Sequence, residues 1–171
     1  MGKGLSKNHC ARNLAIFAGC VFLWLIADRV TKMAIDGNHA VGEVIVDNVL
    51  GLFRFDLVHN TGAAWGSFAG STLVLAGVSL LICVGVVVFA FLERQKGSVV
   101  EMVGLALVFA GGIGNFIDRV FYGYVVDFIT PTFIDFPTFN IADIGVTCGI
   151  VLVVITLVIQ IIAEKKERPE S

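Results

Sequence analysis

Charge is what this sequence has least of. Only 15% of its 171 residues are Asp, Glu, Lys or Arg, where a water-soluble domain carries about 25%. Proline is also scarce: there are three, and two of them, Pro131 and Pro137, fall in one segment. Four cysteines are present, Cys10, Cys20, Cys83 and Cys148, and none has a partner at CxxC spacing, which argues against a metal knuckle or a dithiol redox site. No HExxH occurs, which argues against a zinc peptidase, and no GxSxG marks a nucleophilic serine. His9, His39 and His59 are scattered. No basic stripe or aromatic-plus-basic patch points to nucleic acid. The net charge of −2 discriminates little.

Apolar residues fill the space left by charge. They make up 57% of the chain, and mean hydropathy is +0.89. A helix needs about 20 apolar residues to cross the hydrocarbon core. Four stretches meet or approach that length, at about 14–33, 72–92, 99–116 and 144–162. Backbone groups in lipid must pair internally, so each is expected as a helix. The expected fold class is an all-α membrane protein, one domain over 1–171, with four transmembrane helices. A cleaved signal peptide is the alternative for the first stretch, since Lys3, Lys7 and Arg12 precede it. No clear small-x-small site follows, however, and the run ends in DRVTK (28–32). Cys20, Cys83 and Cys148 lie in apolar runs and are expected as small buried hydrophobes. Cys10, in a basic tail, is expected as an exposed thiol.

Lys and Arg in short flanking segments set orientation. They occur in the tail 1–12, in the short loop holding Arg94 and Lys96, and in the tail 164–171 with Lys165, Lys166 and Arg168. Four spans put all three on one side, so both termini are expected in the cytoplasm. The longer segments 36–71 and 119–143, rich in acids, are then on the outer side. The first of these, within about 36–70, carries Val44 to Val46 and Leu52 to Val58, punctuated by Asp47, Asn48 and Gly51. This reads as a small sheet or hairpin at the membrane surface.

Ionisable groups at the membrane are costly and therefore candidates for function. Glu43 and Asp47 have loop surroundings and read as solvated. Asp127 and Asp143 differ, for each is a single carboxylate among apolar residues at a membrane boundary. They lie sixteen residues apart, at the two ends of a connection between antiparallel helices, so they can meet at one depth. Two carboxylates in a site of low dielectric share a proton. One can then act as general base on water while the other donates to a scissile carbonyl. The residues also allow a plainer role, in which each Asp caps a helix or pairs with an Arg. Gly111, Gly112 and Gly114 lack the spacing of a phosphate loop and read as a small-residue face for close helix packing.

Five blocks in order carry a resemblance. They are DRVTK (28–32), NTGAAWGSF (60–68), GGIGNFIDR (111–119), VVDFI (125–129) and FNIAD (139–143). Together they resemble signal peptidase II, the bacterial lipoprotein signal peptidase, over nearly the whole chain. The resemblance implies an aspartic endopeptidase with Asp127 and Asp143 as its catalytic dyad. Its substrates would be prolipoproteins, cut on the amino side of a diacylglyceryl-modified cysteine. Asn60, Asn115 and Asn140 would orient the dyad or the substrate backbone. Asp118 with Arg119, conspicuous as a charge pair, would support the site, and Asp28 and Lys32 would be structural or substrate-positioning. Gly62, with Ala63 and Ala64, would let a substrate backbone approach closely. The first outer segment would be a β cradle on the membrane surface. No metal or organic cofactor is implied, and no nucleic acid. The expected setting is the bacterial cytoplasmic (inner) membrane, with the active site near its outer face and a monomer in the bilayer. Two other classes remain as alternatives: a small transporter or channel component using buried acids for ions or protons, and an assembly factor without chemistry.

Overall fold

The computed structural model describes residues 2–62 and 70–167. Four helices and three strands alternate along it: α1 (Gly2–Asp36), β1 (Val44–Val49), β2 (Phe53–Asn60), α2 (Thr72–Glu93), α3 (Val99–Phe121), β3 (Val125–Pro131) and α4 (Ile141–Glu167). Each helix contains a span apolar enough to cross a membrane, with mean hydropathy from 1.8 to 2.9. The helices outrun the lengths expected from hydropathy because nothing in the chain stops them at the lipid boundary. The expected tail 1–12 is helical from Gly2, with no proline before Pro131 to break it. The expected tail 164–171 remains helical to Glu167. α4 starts three residues early because Asn140 caps it. Asn140 Oδ1 accepts from the Asp143 N–H at 3.0 Å, and the Asn140 N–H donates to Asp143 Oδ2 at 3.1 Å, the reciprocal pattern of a capping box.

α3 is the centre of the bundle and packs against α1, α2 and α4. Of its most apolar window, 56% is buried, against 6 to 17% for the other three helices, which present most of their surface to lipid. Its glycines permit this. A Cβ on Gly111 would collide with Ala142 of α4, one on Gly112 with Cys83 of α2, and one on Gly114 would lie 2.6 Å from Asp28 Oδ2 of α1. The small-residue face expected from the sequence therefore serves three partners. The cysteine expectations need correction. Cys83 is buried, but Cys10 and Cys20 are half-buried and Cys148 is exposed. An apolar run in a span reports contact with lipid, which is as apolar as leucine, and not burial in protein.

The strands form one antiparallel sheet in the order β1-β2-β3. The expected β1–β2 hairpin turns through Leu50 and Gly51, both at positive φ (57° and 72°), with Asn48 Oδ1 accepting from the Gly51 N–H at 2.7 Å. β3 was not expected. It comes from the second outer segment, whose Val125, Val126, Phe128, Ile129 and Thr130 all favour strands. Leu57, Val126 and Phe128 form a small core against Ile35 and Ile141. This seats the sheet on the end of the bundle where α1 finishes and α4 begins.

Candidate active site

Asp127 enters the site from β3 and Asp143 from the first turn of α4. Asn140 touches both: its Nδ2 donates to Asp127 Oδ1 at 2.7 Å and its backbone N–H to Asp143 Oδ2 at 3.1 Å. Asn60 pairs with Val125 across β2–β3, two positions from Asp127. Residues two apart share a face of a sheet, and Asn60 Nδ2 reaches Asp127 Oδ2 at 2.8 Å. Asn115 of α3 supplies the fourth donor, Nδ2 to Asp143 Oδ1 at 2.8 Å. Among the described residues, each carboxylate oxygen thus receives one N–H, and three of the four donors are neutral side-chain amides. Asp127 is 2% exposed. Burial and the neighbouring Asp143 charge push its carboxyl up to about 7, against the opposing pull of Asn60, Asn140 and Lys32.

A cavity of ≈ 490 Å³ opens beside this pair, within the size range of sites that hold small ligands. Arg119, Asp127 and Asp143 lie on its polar wall, and Val125, Phe136 and Ile144 on its apolar wall. Gly62 positions rather than lines the site. Its N–H donates to Asn60 Oδ1 at 2.9 Å, fixing the amide that faces Asp127, and its carbonyl accepts from Arg119 at 3.4 Å. Ala63 and Ala64 lie outside the described residues.

Asp118 and Arg119 do not pair. Asp118 turns inward to α1 while Arg119 faces the cavity. Asp118 binds Arg29 at 2.6 Å and Lys32 at 2.9 Å. Asp28 binds the same two cations, at 3.2 and 3.1 Å, and its Oδ1 accepts from the Ala142 N–H at 3.1 Å. Arg29 was absent from the expected site, although it stands in the DRVTK block. Asp28 and Lys32 stand at i,i+4 and pair on the helix surface, but only the fold brings Asp118 to them.

The family model described as signal peptidase (SPase) II matches residues 20–159. The chain belongs to the signal peptidase II family. Similar curated relatives include the lipoprotein signal peptidases of Clostridium acetobutylicum, 38% identical over 144 residues, and of Staphylococcus carnosus, 40% identical over 136 residues. These alignments cover 82% and 78% of this chain and 92% and 84% of the relatives. Two solved structures, each described as a bacterial membrane enzyme structure obtained by the in meso method, share the fold with TM-scores of 0.80 and 0.74. They are 34% and 35% identical, cover 91% and 82% of this chain, and are themselves covered to 94% and 91%. As a signal peptidase II family member with four spans and a three-stranded sheet, the chain is a multi-pass membrane protein with the fold class expected from its sequence.

Proposed function

We propose that the chain is an aspartic lipoprotein signal peptidase whose catalytic pair is Asp127 and Asp143. The observation that carries the reading is the bridge made by Asn140, which binds one oxygen of each carboxylate at the edge of a cavity. Two acids so placed hold one proton between them at neutral pH. Water attacks the scissile carbonyl as one carboxylate removes its proton and the other protonates the carbonyl oxygen. The substrate class follows the relatives' name: prolipoproteins, cut on the amino side of a diacylglyceryl-modified cysteine. A signal peptide is a short apolar helix and docks among spans, while the acyl chains keep the cysteine at the bilayer. The apolar wall of the cavity suits that neighbourhood. In orientation, the segments rich in Lys and Arg share one bundle end, read as cytoplasmic, and the dyad lies at the other, read as the outer face. We read the working unit as a monomer.

The transporter reading fits less well. Among the described residues, the Asp, Glu, Lys and Arg side chains of the spans lie toward their ends, with none at mid-span to relay an ion. The test is mass spectrometry of a diacylglyceryl precursor incubated with purified protein in detergent. Wild type should release the signal peptide. Asp127→Asn and Asp143→Asn should each lower kcat by about 10²- to 10⁴-fold. Proton-coupled flux in liposomes without cleavage would favour the transporter instead.

A further inference from the structure

Lys32 is 2% exposed, and its ammonium meets three acceptors: Asp28 Oδ1 at 3.1 Å, Asp118 Oδ2 at 2.9 Å and Asn115 Oδ1 at 2.9 Å. An ammonium has three N–H donors, so each one is used. The third leads to the dyad, because Asn115 passes a hydrogen bond from its Nδ2 to Asp143 Oδ1. An amide whose oxygen accepts from a cation is polarised into a stronger donor at its nitrogen. Asp143 also sits in the first turn of α4 and accepts a backbone N–H there, where the helix dipole favours an anion. Asp127 has neither advantage. It lies on a strand, buried, with two neutral amides as its partners.

The charges facing this site come from every element around it. α1 brings Asp28, Arg29 and Lys32, α3 brings Asp118 and Arg119, β3 brings Asp127, and α4 brings Asp143. β2 contributes the neutral Asn60, its His59 being turned to Asp36 at 2.5 Å. The charged residue of α2, Glu93, is at that helix's opposite end. Among the described residues, four carboxylates therefore meet three cations, and the cluster is neutral when the dyad holds one proton. A net charge in a buried site is expensive, so this composition favours the singly protonated pair.

We propose that Lys32 is a positioning residue of the reaction, which acts through Asn115 to hold Asp143 as the ionised member of the dyad and so keeps the single proton on Asp127. The proposal rests on the dyad reading above and assigns its two roles. Asp143 takes a proton from water as the water oxygen bonds to the carbonyl carbon. Asp127 gives its proton to the carbonyl oxygen. Collapse of the tetrahedral intermediate breaks the C–N bond, Asp143 passes its proton to the leaving amine of the cysteine, and Asp127 regains one from the hydroxyl. The pair ends as it began.

The test is the pH dependence of kcat and KM on a diacylglyceryl precursor, for wild type, Lys32→Gln, Lys32→Arg, Asn115→Ala and the Lys32→Gln/Asn115→Ala double variant. Removing the cation favours protonated forms, so the limb on which activity falls with rising pH should move upward. The expected shift in Lys32→Gln is about half a unit to one unit, with kcat lowered about 10- to 100-fold and KM changed little. Lys32→Arg should keep the limb in place. Asn115→Ala leaves the pairs of Lys32 with Asp28 and Asp118 intact and should show the same shift, and the double variant should shift no further. If Lys32→Gln does not fold, Asn115→Ala decides alone. A limb that stays put in folded Asn115→Ala, or in folded Lys32→Gln, overturns the proposal while leaving the dyad reading standing. Cleavage by Asp127→Asn or Asp143→Asn at the wild-type rate overturns the dyad reading itself.

Discussion

The two ends of the helix bundle bury polar groups in different ways. At the end with the α2–α3 loop, Asn13 is 1% exposed and donates to the carbonyls of Gly97 at 2.8 Å and Arg94 at 3.2 Å. Gln160 of α4 donates to Oε2 of the buried Glu101 of α3 at 2.9 Å. These contacts fasten helices to a loop and to one another, and they go no further. At the other end, hydrogen bonds and ion pairs run without a break from Arg29, Asp28 and Asp118 through Lys32 and Asn115 to Asp143. From Asn140 they continue to Asp127. The second network ends on two carboxylates beside a cavity. Both ends pair most of their buried polar atoms, although Glu101 Oε1 at the first and Arg29 Nε and Arg119 Nε at the second have no hydrogen-bond partner among the described residues. Only one places titratable groups where a substrate can reach them.

That contrast can be broken by mutation. Below the loss expected for the aspartates themselves, the largest effect should come from Asn140→Ala. It removes a residue that binds both carboxylates and caps α4, so kcat should fall by about 10²-fold or more. The thermal midpoint should fall too, with about 1 kcal/mol lost from the cap. Next comes pH. Asp127, raised to about 7 by burial and Asp143, should lose the catalytic proton as pH climbs through that value, and cleavage should decline with it. The stability sign is fixed by linkage. A carboxyl whose folded value is raised stabilises the fold below its unfolded value near 3.8. That contribution is lost as pH rises through about 7. Asp127→Asn should therefore melt at or above the wild-type temperature at pH 8, gaining on the order of 1–3 kcal/mol, though inactive. The smallest effect on cleavage should come from the opposite end. Asn13→Ala should lower stability by about 1–2 kcal/mol and leave kcat and KM of the folded protein unchanged.

Much of this was legible in the sequence, for reasons that differ by element. The four spans follow from composition, because lipid forces a long apolar run into a helix. The hairpin of β1 and β2 follows from alternating Val and Phe residues around Gly51. The ends of the helices were not legible, since hydropathy reports lipid contact while α1 and α4 continue beyond it. β3 is harder to read because its single charge, Asp127, interrupts a strand-forming run of Val125, Val126, Phe128 and Ile129. Asp127 and Asp143 could be singled out as candidates, and the five blocks implied their roles. The partner of Asp118 could not be found that way. Arg119 is its neighbour in the chain, but its ion-pair partners are 89 and 86 positions away in α1. Such contacts are set by tertiary packing around Gly114, which carries no local signal of what it will touch.

In the proposed mechanism one bridged pair of carboxylates, Asp127 and Asp143, performs the cleavage. The most direct measurement is single-turnover cleavage of a diacylglyceryl precursor by folded Asp127→Asn and Asp143→Asn protein, followed by mass spectrometry of the released signal peptide. Both variants should bind the precursor and keep their fold, with turnover reduced by about 10²- to 10⁴-fold. Either variant cutting at close to the wild-type rate would contradict the account.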